Sequence, residues 1–340
     1  MSCTPAIVAV SVALLGAASC SHAGDDKEPL AGGAATVFDA SRNAFASPVS
    51  TLTERHRAQF FVGNSYFNDN WSIAPGSVDS RDGLGPLFNA RSCSGCHFKD
   101  GRGRPPEAGL PMSTMLLRIS IPGAGPHGEP VPDPVYGDQI QGSAVSGIAR
   151  EADVMVTYQT VNVPLAGGDT CHLRQPKYEL SALGYGPTAP GLLTSPRVAP
   201  AMPGLGLLEA VAVSELERFA DPNDRDGDGI SGRFNTVWDV QKGRAAVGRF
   251  GWKAEQPTVR QQSAGAFNGD LGITSSLFPS ENPTALQSAA RLLPNGGTPE
   301  VKDDVLDSVA VYARTLAVPA RRRVNEVNVR RGERLFEKAR

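Results

Sequence analysis

Cysteine is scarce in this chain: five occur in 340 residues, and two of them, Cys3 and Cys20, stand within the first twenty positions. Aromatic residues make up only 6%, and neither sign of charge dominates, with 33 Lys and Arg against 35 Asp and Glu. The balanced charge argues against a dedicated nucleic-acid binder, which carries a basic excess or stripe. The remaining cysteines, Cys93, Cys96 and Cys171, are odd in number and too sparse for a disulfide framework. No run of 18 apolar residues occurs, which excludes a membrane span read from hydropathy. What is abundant is glycine and proline: 37 and 27 residues make about 19% of the chain, above the average of roughly 12% and below the roughly 25–30% of low-complexity disorder. With 40% apolar residues and a net charge of −2, the chain reads as folded and loop-rich, one large domain or two modest ones.

The N-terminal segment is expected to be an export signal. Ala6 to Ala18 is a short apolar run, and Ser21-His22-Ala23 supplies small residues where a signal peptidase cuts. A second reading places a lipid anchor on Cys20, after Ala17-Ala18-Ser19. Either way the expected location is extracytoplasmic, periplasmic in a bacterium.

Among the remaining cysteines, Cys93-Ser94-Gly95-Cys96-His97 has the C-x-x-C-H spacing of c-type haem attachment. Two thiols add across the two haem vinyl groups, and the adjacent imidazole reaches the iron from the same turn. A structural zinc site needs a second knuckle, which Cys171-His172 supplies poorly. A thioredoxin-like pair needs a βαβ setting that the flanking sequence lacks. The glycine-rich run Phe98 to Pro106 follows; it is either a surface loop or a turn passing close to the macrocycle, with a proline carbonyl there accepting the Nδ1–H of His97.

The organisation expected is α+β: a cytochrome c-like helical haem module interrupted by a β-rich, loop-rich insert. Residues 1–23 are the signal peptide and 24–44 a flexible linker. The first part of the haem module is 45–110, with a helix over Thr51–Asn68. The β-rich insert is 111–200, with strands at Met115–Ile119, Val154–Tyr158 and Tyr158–Val163. Residues 201–298 hold a helix (Leu205–Ala220), an acidic loop and a Gly/aromatic region. The closing helix lies in 299–320, with Val305, Val309, Tyr312 and Leu316 on one face. Residues 321–340 read as the start of a truncated second cytochrome c module, because Gly332-Glu333-Arg334-Leu335-Phe336 repeats Gly63-Asn64-Ser65-Tyr66-Phe67.

The acidic loop Asp224-Arg225-Asp226-Gly227-Asp228-Gly229 places carboxylates at positions 1, 3 and 5 and glycine at 6, as calcium loops do, although Asn235 stands where the twelfth-position Glu belongs. It is either a calcium site, with Asp224, Asp226 and Asp228 as ligands, or a plain Asx-rich turn.

Several stretches together resemble the di-haem oxidoreductase (putative peroxidase) family, also described as thiol oxidoreductase-like. They are Gly85 to His97 with Asp100-Gly101-Arg102-Gly103, Gly204 to Ala210, Asp226 to Arg233, Gly248 to Lys253, Gly272 to Ser275 and Leu316 to Arg321. The resemblance spans roughly residues 45–340. It implies a periplasmic protein with two covalent haems, distantly related to di-haem cytochrome c peroxidases. The 340 residues contain one C-x-x-C-H, so one covalent haem c is expected for the chain as given.

His97 is the expected iron ligand on one side. On the other, a methionine makes an electron carrier and an open position makes a peroxidase; Met202 and Met115 are the candidate ligands, since the insert must return to the haem. Peroxide chemistry needs a base and a cation. Glu209, with a raised pKa, is the candidate base, and Arg249 and Trp252 are candidates to hold a propionate and stack near the haem. The expected partners are small redox proteins or other electron donors in the periplasm, with no nucleic acid. Two functions follow: an extracytoplasmic haem c redox protein of peroxidase-type ancestry, or a non-catalytic periplasmic binding protein in which haem or calcium is structural.

Overall fold

The computed structural model describes residues 30–339; the expected signal peptide and Cys20 lie outside them. The described chain is mixed, with seven α-helices and ten short strands in two-stranded sheets, in agreement with α+β. No helix among the described residues is long and apolar enough to cross a membrane.

Helix α1 (Glu54–Asn68) begins where Thr53 caps it, its hydroxyl accepting the His56 amide at 3.3 Å. Its crossing partner is the last of the buried helices, Asp303–Thr315, which carries two aspartates in its first turn and Arg314 in its last, matched to the helix dipole. Between them in sequence come α2 (Leu205–Ala210), α3 (Val213–Phe219), α4 (Val259–Leu271) and α5 (Ser288–Arg291), so the crossing partner is α6. The single helix expected over Leu205–Ala220 is thus two, because Val211 and Ala212 take extended conformations and break it.

Helices α1 and α6 meet at Gly63. A Cβ placed there would lie 2.1 Å from the Ser308 carbonyl oxygen and 2.7 Å from the Tyr312 Cβ, so only glycine permits this approach. Around the crossing, Phe60 and Phe67 of α1 pack on Tyr312 and Leu316, with the Phe67 and Tyr312 rings 5.1 Å apart. A second core, on the N-terminal half of α6, joins Trp71, Phe267, Leu271, Ile273, Leu306 and Val309. Helix α4 enters it after its cap at Thr258 and stops at Gly272, whose φ of 70° is open to glycine. The expected α6 face is buried at Val309, Tyr312 and Leu316 and half-buried at Val305.

The strands are β1 (Thr36–Val37), β2 (Leu87–Phe88), β3 (Met115–Ser120), β4 (Ser143–Ala144), β5 (Asp153–Pro164), β6 (Thr170–Ser181), β7 (Leu193–Val198), β8 (Thr236–Asp239), β9 (Arg244–Val247) and β10 (Val318–Pro319). The two runs read at 154–158 and 158–163 are one strand, β5, paired along its whole length with β6. Residues 111–200 therefore do carry the larger part of the β-structure, with their own core of Leu117, Ile119, Tyr136, Ile140 and Val154. This region is fastened to the C-terminal turn of α4 by amides: Gln139 Nε2 donates to the Gly269 carbonyl at 3.0 Å, and Gln141 Nε2 to the same oxygen at 2.7 Å. Behind them Glu151 accepts the Gln141 amide and Gln287 Nε2, both at 2.6 Å, and burial pushes its carboxyl up to about 8.

The final helix α7 (Val327–Lys338) buries no residue; Leu335 and Phe336 are 56% and 73% exposed.

If the contact at Gly63 sets the crossing, Gly63→Ala must push the helices apart. It should cost about 3 kcal/mol in denaturant unfolding, in the range of overpacked cores. Gly332→Ala in α7, where a Cβ meets nothing within 4 Å, should be neutral or stabilise by about 1 kcal/mol. Equal effects at the two sites would show that the crossing is not sterically set.

Candidate functional site

The C-x-x-C-H turn packs against the C-terminal end of α1, from which residues 69–92 separate it in the chain. A single 3-10 turn over Cys93–Gly95 carries it, with the Cys96 and His97 amides both bonded to the Cys93 carbonyl, at 3.2 and 3.0 Å. The Ser94 hydroxyl ties the turn to the last carbonyl of α1, that of Asn68, at 3.1 Å. Phe67, one residue earlier, packs its ring 6.2 Å from that of His97.

Cys93, Cys96 and His97 line one cavity of about 340 Å³, within the roughly 300–1,000 Å³ of ligand pockets. Its walls are Leu116 and Arg118 of β3, the segment Arg197–Met202, Leu205 and Leu208 of α2, the loop Arg249–Trp252, and one face of α4. That face is Val259, Gln262, Ser263, Ala266, Phe267 and Asp270, spaced at three and four residues as one side of a helix must be.

His97 is held from behind. Its Nδ1 lies 2.8 Å from the Pro200 carbonyl oxygen. A carbonyl only accepts, so Nδ1 carries the proton and Nε2 is left as the lone-pair nitrogen. Burial holds the imidazole below the usual histidine range, so it is neutral, as a metal ligand requires. The expected proline carbonyl is therefore present, but it comes from Pro200 and not from the prolines at 105 and 106. The run after His97 closes the arrangement. Lys99 and Asp100 take φ of 52° and 59°, turning the chain so that the Asp100 carbonyl accepts the Met202 amide at 2.9 Å. The Asp100 carboxylate accepts the Tyr312 hydroxyl at 2.5 Å. Burial pushes this carboxyl up to about 6, against the lowering effect of the Tyr312 bond.

The other expected residues divide. Met202 lines the cavity, two residues beyond the carbonyl that holds His97, and packs with both the α1–α6 aromatic cluster and Phe250. Met115 does not reach it: along β3 the cavity receives Leu116 and Arg118, and alternation turns Met115, Leu117 and Ile119 to the other, buried face. Arg249 and Trp252 line the cavity, Arg249 donating to the Leu208 carbonyl at 3.0 Å. Glu209 is not in the lining. Its carboxylate is bound by Arg314 and accepts the Val259 amide at 2.8 Å, where it holds α2, α4 and α6 together. Among the described residues no second histidine lines the cavity: His127 is stacked on Trp238 and His172 bonds Asn162.

Sequence reasoning missed Arg118, Arg197, Gln262 and Asp270. Arg197 pairs with both oxygens of Glu255, at 2.5 and 2.8 Å, and Arg118 pairs with Asp138. The face of α4 mixes polar and apolar residues, so no apolar periodicity marks it; only its three-and-four spacing does.

The donor set fits a haem. Two free thiols and a neutral imidazole share one largely apolar cavity with Arg249, which no carboxylate among the described residues pairs. Burial, with Asp270 nearby, pushes both thiols up to about 12, so neither is the thiolate of a redox pair. The zinc alternative fails: among the described residues the one cluster of metal-binding groups is Asp224, Asp226 and Asp228, whose carboxylate oxygens lie within 4.8 Å of one another.

A family model described as "Di-haem oxidoreductase, putative peroxidase" matches residues 27–340. Comparison with curated proteins and with solved structures gives no match.

The Asp100–Tyr312 bond gives a pH test. A carboxyl raised from 3.8 to about 6 adds stability below 3.8 that is lost as pH rises through about 6. Asp100→Asn should flatten the fall in unfolding free energy between pH 4 and 7. Tyr312→Phe should cost more at pH 8, about 1–3 kcal/mol, than at pH 5, because the ionised carboxylate loses its donor. Equal costs at both pH values would contradict this.

Proposed function

The chain belongs to the di-haem oxidoreductase family, and on that premise we propose that it is an exported, periplasmic c-type haem protein acting as a peroxidase-type oxidoreductase. Cys93 and Cys96 would hold one haem by thioether bonds and His97 would bind its iron. When bound, the haem supplies one-electron redox chemistry and an iron site for peroxide. The chain's own contribution is to keep His97 neutral and oriented through Pro200, to shield the site with Phe67, Phe267 and Leu271, and to offer Arg249 to a haem carboxylate beside Trp252. The cytochrome c-like part of the reading rests on α1, the attachment turn after it, and α6 crossing α1 at Gly63.

The observation that carries the enzyme reading over the carrier reading is the composition of the cavity wall. Beyond the attachment triad, Met202 is the one histidine, cysteine or methionine among the described residues in the lining, and it stands on the loop that holds His97. The α4 face instead presents Gln262, Ser263 and Asp270. Electrons would come from small redox proteins or other donors in the periplasm. A lipid anchor on Cys20 is the alternative to simple secretion.

Haem stain on denaturing gels should colour wild type matured with haem, Cys93→Ser and Cys96→Ser should weaken it, and His97→Ala should abolish the normal visible spectrum. Release of all haem by acid–acetone would overturn covalent attachment. Peroxide should change the spectrum and turn over with a one-electron donor; inertness to peroxide would leave the carrier.

We also propose calcium at Asp224, Asp226 and Asp228, since the loop gathers three carboxylates at ligand spacing. A cation bound to the native state alone adds about 2.7 kcal/mol at a hundredfold excess over Kd. Chelation should lower the melting temperature, and Asp226→Ala should make the protein indifferent to the chelator. No change on chelation would leave an ordinary turn.

A further inference from the structure

Three carboxylates stand at or beside the haem cavity, and the structure separates them by what their oxygens already do. Glu209 is bound by Arg314 and the Val259 amide. Glu255 is bound at both oxygens by Arg197. Asp270 is different. Its Oδ1 accepts Gln139 Nε2 at 2.9 Å, while its Oδ2 takes no hydrogen bond from the described residues and is not among the atoms sealed inside the protein. The residue lines the cavity at the end of the α4 face that runs Val259, Gln262, Ser263, Ala266, Phe267. Its backbone carbonyl accepts the Asn89 and Ala90 amides at 2.8 and 3.2 Å, just before Cys93, so it stands near the C-x-x-C-H turn.

We propose that Asp270 is the proton-handling carboxylate of this cavity, and that Gln139 is the residue that positions it. This rests on the peroxidase-type reading. With haem bound, the free oxygen would accept the proton of one hydrogen peroxide oxygen and return it to the other, outer oxygen. The O–O bond then breaks and the outer oxygen leaves as water. The two electrons consumed are drawn from the loaded site and restored in two single-electron transfers from a donor protein, with protons from solvent.

The charged and titratable groups facing Asp270 are Arg118, Asp138, Cys93 and Cys96. Burial raises the Asp270 carboxyl, and Arg118 and the Gln139 bond oppose this. The support behind Gln139 is itself polar. Its Oε1 is buried without a partner, beside a small cavity lined by Glu151, Gln141, Asp138 and Asn282. Glu209, the carboxylate the sequence suggests for this work, is committed to the helix packing.

The test uses the full chain matured with haem. Asp270→Asn keeps the size of the side chain and an acceptor for Gln139. The rate at which hydrogen peroxide changes the ferric spectrum should fall about 100- to 10,000-fold. The wild-type rate should rise with pH through one ionisation, and the variant should lack that rise. Asp270→Glu should restore part of the rate. Gln139→Leu removes a bond to the charged form, so it should move the midpoint to higher pH. An Asp270→Asn protein with wild-type rate and pH profile overturns the proposal. Should that variant fail to hold haem, an unchanged midpoint in Gln139→Leu overturns it equally. Hydrogen cyanide, which must lose a proton on binding ferric haem, separates this from the function itself. If wild type ignores peroxide, the peroxidase reading fails. A slower cyanide association in Asp270→Asn then still supports Asp270 as the cavity base, and an unchanged one refutes it.

Discussion

The approach of α1 to α6 at Gly63 is the contact on which the rest of the site depends. Without a side chain at that position the Ser308 carbonyl and Tyr312 come into van der Waals range of the α1 backbone. Phe60 and Phe67 can then enclose Tyr312. The C-x-x-C-H turn is anchored to the end of α1 through Ser94 and Asn68, so its position is inherited from that crossing. Tyr312, fixed in the same contact, passes the constraint onward by its hydroxyl to Asp100, and the Asp100 carbonyl passes it to Met202. His97 is thereby gripped between a helix pair on one side and the Pro200 loop on the other.

The β-structure of residues 111–200 contributes differently. It carries its own apolar core, yet its junction with α4 is made of amides and carboxyls: Gln139, Gln141, Glu151 and Asn89, with Gln287 behind. Buried polar groups of this kind are costly unless bonded, and when bonded they define one geometry closely. Such a junction sets the distance between β3 and α4, which both line the cavity. Arg118 and Asp270, one on each wall, are drawn together by the same contacts.

Charge placement around the cavity follows from this. Arg197 and Arg118 are neutralised locally by Glu255 and Asp138, whereas among the described residues Arg249 has no carboxylate partner and donates to the Leu208 carbonyl. A cation in a mostly apolar cavity without a carboxylate partner is unfavourable alone and favourable beside an anionic group. The chemistry attributed to the family thus finds, in this chain, a neutral imidazole, two protonated thiols and one uncommitted guanidinium.

Sequence alone determined whatever depends on residues close together in the chain. The C-x-x-C-H spacing, the helix at Glu54–Asn68, the closing helix with its Val309, Tyr312 and Leu316 face, and the aspartates of the 224–228 loop are all local patterns, and each recurs in the structure. The family was legible for the same reason. What only the tertiary structure decided are the pairings across long separations: His97 with Pro200, 103 residues apart; Glu209 with Arg314, 105 apart; Gln139 with Asp270, 131 apart; Asp100 with Tyr312, 212 apart. No local pattern encodes such partners, since each bond forms only after helices and strands have packed. Glu209 therefore read as a base in the sequence and is an anchor in the fold. Met115 read as a ligand, but the side of a strand that faces a cavity is set by the strand's register against distant neighbours, and that register turned Leu116 and Arg118 inward instead.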